Sequence, residues 1–166
     1  MSLSALIDLK ISVAQSGNGD INTAISNTAL NEVLSLLNGT GLNQANQVWS
    51  DNSQLAISGV DSLDLAGVLL DAFGNAITFT NIVAIAVIAD AGNGDNIEIG
   101  GNANAFASFL GGPTDVVTVP PGGMFLITAP DATGFPVTAS TADILDITNA
   151  DAAAVANYKI VLIGRE

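Results

Sequence analysis

The sequence contains neither cysteine nor histidine. Those absences remove thiol chemistry, zinc sites with their usual ligands, and every mechanism that uses imidazole as a general base. Without disulfides, stability must come from packing or assembly. Cations are almost as scarce, because Lys10, Lys159 and Arg165 stand against 16 acidic residues and leave a formal charge of −13. Such a chain has no basic patch for phosphates or an anionic bilayer, so neither nucleic acid nor membrane is an expected partner. A cationic or polar protein surface suits it better. Long apolar runs are missing too. The longest, Ile82 to Ala89, is bounded by Asn81 and Asp90, whereas a membrane helix needs about 20 residues. The mean hydropathy of +0.50 therefore reflects missing charge and abundant alanine. MSLSALIDLK at the amino terminus has no basic segment leading into a sustained apolar stretch, so synthesis in a cytoplasm without a signal peptide is expected.

What is present fits one domain, or one domain with an arm: 166 residues can bury roughly 70% of the surface of the unfolded chain. Two regions differ in character, residues 1–46 as an arm and linker and residues 47–166 as the main domain. In the arm, Ile7, Leu9, Ile11 and Val13 alternate with Asp8, Lys10 and Ser12, the pattern of a strand with one apolar face. SGNGD (16–20) reads as a turn. Leu30, Val33, Leu34 and Leu37 fall at helical spacing and predict, as one option, a short helix over 28–37 that stops at Asn38-Gly39. NGTGLNQANQ (38–47) is the best linker candidate.

From Gln47 onward, short β-prone runs are separated by Asn, Asp, Gly and Pro, which predicts an all-β, two-sheet antiparallel sandwich of about eight long strands. A jelly roll suits that number, with an immunoglobulin-like sandwich as its rival. DAFGN (71–75), DAGNGD (90–95) and PPGG (120–123) supply the turns, the glycines and asparagines for positive φ and the prolines for a fixed one. Ala105 to Phe109 is among the candidate strands. Within Ile82 to Ala89, alternation places Val83, Ile85 and Val87 on the core face and Ile82, Ala84, Ala86 and Ile88 on a second face with no polar residue. Either the arm or a loop covers that second face, or the small Ala84 and Ala86 admit another subunit.

Catalytic chemistry finds little support. The carboxylate pairs Asp61/Asp64 and Asp143/Asp146 have the residue types of a glycosidase, but each sits where turns meet strands or on an alternating strand, where carboxylates bond backbone N–H groups or water. The cluster Asp90, Asn93, Asp95, Asn96 and Glu98 carries calcium-type oxygens without the EF-hand spacing, and Asn-Gly-Asp is equally a hairpin turn. GDNIEIGGN (94–102) has no following lysine or helix to make a phosphate cradle. Most of Trp49, Phe106, Phe109, Phe125, Phe135 and Tyr158 read as core, with Trp49 the one candidate ligand platform. A serine nucleophile would have no base beyond two lysines in no recognisable context. No catalytic residue, metal ligand or cofactor is assigned, and no enzyme is expected.

The segments VWSDNSQLAISGVDSLDLAGVLLDAFGNAITFTNIVAIAV (48–87), IEIGGNANAFASFLG (97–111), VTVPPGGMFLITAPDATGFPVTAST (117–141) and YKIVLIG (158–164) resemble a group of small tailed-phage virion proteins, the capsid decoration or cement proteins. The resemblance spans 47–164, and its most distinctive pieces are SLDLAG with DAFGN, the PGG turn and APDATG. These are turns and strand starts, and the arm over 17–46 departs from the pattern. The resemblance implies a jelly-roll sandwich that forms a homotrimer on the outer surface of the virion, bound to the phage major capsid protein. In that setting Ile7, Leu9, Ile11 and Val13 are expected to pair with an exposed strand edge in the capsid or a neighbouring subunit, and Ile82, Ala84, Ala86 and Ile88 to lie at the subunit interface. The alternative is a fibre-tip or receptor-binding module that grips a host glycan or surface protein through loops near Asn102 or Trp49.

Overall fold

The computed structural model describes residues 2–18, 23–67 and 69–166, and within them every regular element is a β-strand. In chain order these are β1 (Ala5–Asn18), β2 (Thr23–Asn38), β3 (Gln44–Ala45), β4 (Gln47–Leu55), β5 (Val60–Asp64), β6 (Leu69–Leu70), β7 (Ala76–Ile77), β8 (Asn81–Ala89), β9 (Ile97–Gly100), β10 (Val116–Val119), β11 (Met124–Thr128), β12 (Phe135–Pro136), β13 (Ile144–Asn149) and β14 (Ala156–Arg165). The main domain is a β-sandwich. One sheet runs β11-β8-β14-β4, with β12 continuing the line of β11 along β8, and the other runs β10-β9-β13-β5. Every pairing in these two sheets is antiparallel. Between them, alternate residues of each strand close an apolar core that includes Leu63, Ile85, Val87, Ile97, Ile99, Leu145, Ile147, Ile160 and Leu162. Burial of this kind stabilises by roughly 25 cal/mol per Å² of apolar surface.

The predicted helix over 28–37 is instead part of β2. Leu30, Leu34 and Leu36 alternate on one face opposite Ile11, Ile7 and Ala5 of β1, so period two and period 3.6 compete for the same leucines. A ten-residue helix is marginal by itself, and a complementary partner strand decides the contest. Asn18 closes β1, and the remainder of the predicted SGNGD turn lies outside the described residues.

NGTGLNQANQ is a packed connection and not a free linker. β3 pairs parallel with the end of β2, Ala45 is fully buried, and Asn43 N–H donates to the Pro130 carbonyl at 2.8 Å.

The alternation assigned to Ile82–Ala89 holds from Ile85 onward and fails before it. Ile163 pairs with Ala84 but Gly164 pairs with Ile82, so Val83 is the extra residue of a β-bulge. Ile82 therefore turns into the main core, while Val83 and Ala84 both face outward. A one-residue slip reverses every side chain beyond it, and an unbroken apolar run carries no mark of where that slip falls. Gly164 permits the bulge, since a Cβ there would meet Phe79 at 2.6 Å.

Two smaller expectations also change. Ala105–Phe109 is a turn region touching Ile144 through a single bridge, not a strand. The 90–95 turn uses no positive φ, unlike Gly74 and Gly122. It is shaped instead by the Asp90 carboxylate, which accepts the Gly92 N–H at 2.8 Å.

Candidate interaction surface

β1 and β2 form a single hairpin with fourteen consecutive cross-strand pairs and no register shift. At about 3.4 Å per residue the arm is about 45 Å long. One face carries Ala5, Ile7, Leu9, Ile11 and Val13 from β1, opposite Leu36, Leu34, Glu32, Leu30 and Thr28 from β2. The root of that face is anchored, since Leu3, Ala5, Ile7, Leu34 and Leu36 pack with Ala45, Val83, Ala84 and Ile163. The backbone N–H of Leu3 also donates to the Asn38 side chain at 3.0 Å. Farther out the same stripe is bare, with Leu9 39%, Ile11 48% and Val13 52% exposed. Among the described residues β2 is the one strand paired with β1, so the other edge of β1 has no strand partner there.

The second surface is the outer face of the five-stranded sheet. Ala84 and Ile163 lie beneath the hairpin root. Beyond them the face continues as Ala86 paired with Leu126 and Val161, then Ile88 paired with Met124 and Lys159. Leu126, Val161, Ile88 and Met124 are exposed. Of the four residues expected at a subunit interface, Ile82 is thus withdrawn into the core, Ala84 is covered by the chain's own arm, and Ala86 and Ile88 border the bare patch. Sequence reasoning missed Phe73, which is 76% exposed on the β6–β7 turn and borders a groove of about 450 Å³ with Leu3, Ala5, Val48 and Leu70. An aromatic between Asp71 and Gly74 looks like turn filler, so no periodicity marks it.

No family model, curated protein or solved structure matches this chain. Its role is read from its own surfaces and from the disposition of its polar groups. The carboxylates of Asp61, Asp64, Asp143 and Asp146 each accept a hydrogen bond from within the fold. Asp64 caps a turn through the Ala66 N–H at 3.0 Å, Asp143 accepts the Ser140 N–H, and Asp146 accepts Asn102 Nδ2 at 2.8 Å. In the 90–98 loop, Asn93 exchanges hydrogen bonds with the Asn157 backbone and Asp95 accepts the Asn96 N–H. Among the described residues no three acidic side chains gather around a common point. Trp49 packs against the core instead of standing free, and Phe109 sits 5.7, 5.9 and 6.1 Å from the ring centres of Phe106, Phe125 and Phe135.

Asp61 has a structural task. The buried Tyr158 hydroxyl donates to its Oδ2 at 2.6 Å, tying β14 of one sheet to β5 of the other. Burial first, and then the Asp61 hydrogen bond and charge, push the phenol well above its ordinary range. A raised pKa favours the neutral phenol in the fold. The resulting stabilisation is complete below about pH 10, the unfolded value, and is lost as pH rises beyond it, because the unfolded chain then releases a proton that the native one keeps. Tyr158 is the sole tyrosine, so phenolate absorbance reports it alone. Alkaline titration is expected to show phenolate appearing together with unfolding, at a pH above that of free tyrosine, and Tyr158→Phe to lower stability at neutral pH while removing its further fall above about pH 10. Phenolate forming near pH 10 in a still-folded protein would contradict this account.

Proposed function

We propose that the protein is a structural component of a tailed-phage virion, which binds the outside of the assembled capsid as a trimer and stabilises the shell. The observation that carries this reading is the long, unbroken hairpin of β1 and β2. The arm is about 45 Å long, has an open strand edge along β1 and leaves its distal apolar stripe exposed. It offers a ladder of backbone donors and acceptors to an exposed edge of the major capsid protein, a β-augmentation in which Leu9, Ile11 and Val13, outward of the anchored Ile7, set the register. The resemblance of residues 47–164 to decoration proteins supports the same reading. Occupancy at several equivalent sites makes weak individual contacts durable, and a ligand that binds only the assembled shell stabilises it by mass action.

The test is binding of the purified chain to heads that lack it. Deleting only β1 would strip β2 of its partner and uncover Val83 and Ala84, so the sharper variant replaces residues 10–31 with Asn-Gly, keeping the anchored root. Saturable binding by the full chain is expected, with at least a tenfold loss for the shortened hairpin and an unchanged circular dichroism spectrum. Equal binding by both forms overturns the role of the arm. Absence of binding to heads, with adsorption to host cells or glycans, would move the reading to a receptor-binding module.

A further inference from the structure

We propose that the distal apolar face of the hairpin seats on the bare outer face of the five-stranded sheet of a second copy of this chain. The proposal specifies the self-contact of the trimer suggested above, but it concerns a face of the hairpin and not its open edge, and it is tested without capsids.

Both surfaces extend one buried contact. At the root, Ala5, Ile7, Leu34 and Leu36 lie against Val83, Ala84 and Ile163. From that contact the hairpin face runs on as Leu9, Ile11, Val13 and Leu30, all exposed, and the sheet face runs on as Ala86, Leu126, Val161 and Ile88, the last three exposed. Within one molecule both stretches stay exposed, and neither belongs to the cluster at the root. The two bare stretches thus have the chemistry of partners that already pack together at the root. Ala86 opens a shallow place between Leu126 and Val161 for branched side chains such as Ile11 and Val13.

Charge selects the same partner. The apolar face of the hairpin carries one acid, Glu32, opposite Leu9, and the outer face of the sheet carries one cation, Lys159, opposite Ile88. In a chain with only three cations, one of them Arg165 and buried, an exposed lysine in an apolar patch is a specific complement to a lone glutamate in an apolar stripe. Each copy donates one hairpin and accepts one, a head-to-tail contact that becomes a closed ring when the rotation between copies permits.

Light scattering on the size-exclusion peak of the full chain, over a range of concentrations, tests this. A mass of several chains is expected. Ile11→Asp on the hairpin and Leu126→Asp on the sheet should each raise the dissociation midpoint at least tenfold, while thermal melting at low concentration stays the same. Glu32→Lys and Lys159→Glu should each weaken assembly, and their combination in one chain should restore it. A single-chain mass for the unmodified protein at every concentration overturns the proposal. So does assembly that ignores all four substitutions, or charge reversals without mutual rescue.

Discussion

Arg165→Met is expected to lower the stability of the fold by about 3 kcal/mol, as four part-buried acceptors each lose a partner at about 1–3 kcal/mol before water and relaxation recover part of it. Arg165 is fully buried, which is rare for a guanidinium, and each of its three nitrogens donates at least one hydrogen bond. Nε reaches the Gln44 carbonyl at 2.8 Å, Nη1 reaches Asn81 Oδ1 at 3.1 Å and the Ala132 carbonyl at 3.0 Å, and Nη2 reaches the Asp131 carbonyl at 2.7 Å. One side chain thereby fastens the connection that carries the arm, the start of β8 and the 131–134 turn. The Asp131 carboxylate is held below its usual range by the N–H groups of Gly134 and Thr133, with the charge of Arg165 a lesser contribution. Methionine fills the stem and leaves those acceptors facing apolar atoms. Thermal melting should fall by about 10 °C for a domain of this size, and Arg165→Lys should recover only part of it, since an ammonium lacks the planar fork. An unchanged melting temperature for Arg165→Met would show that water replaces the guanidinium without loss.

Leu36→Ala is expected to release the hairpin root while leaving the sandwich folded. Leu36 is the largest fully buried side chain of the small cluster between arm and sheet, and truncating such a leucine costs about 3 kcal/mol in transfer and cavity terms. The cluster is separate from the main core, so the loss falls on local opening more than on global unfolding. Hydrogen exchange should show it. Amides of Ala5–Leu9 are expected to exchange roughly 100-fold faster, while those of Ile85 and Leu162 keep their protection. Equal acceleration in both places would mean that arm and sandwich unfold as one unit. Capsid binding and self-association should weaken in the same variant, because an undocked arm must be reordered on binding.

The all-β class was legible because strand patterning is local. Leu63 and Leu65 alternating with Ser62 and Asp64, and Asp71 closing DAFGN through the N–H groups of Phe73 and Asn75, each report a structure made by neighbours in sequence. The apolar stripe of β1 was equally readable as one face of a strand. Its partner was not, because Leu30, Val33, Leu34 and Leu37 satisfy helical spacing while Leu30, Leu34 and Leu36 satisfy strand spacing.

Composition and local pattern by themselves determined that this chain builds sheets, lacks the side chains of thiol and imidazole chemistry, and presents an acidic surface without a basic patch. Tertiary structure alone decided three further matters: the hairpin pairing of β2, the bulge at Val83 that exchanges the faces of Ile82 and Val83, and the burial of Arg165. The physical reason is shared. Each depends on groups far apart in sequence, β1 for the first, Ile163 and Gly164 for the second, and the carbonyls of Gln44, Asp131 and Ala132 for the third. The free energy of such meetings is set by what the fold brings together, and no local spacing records it.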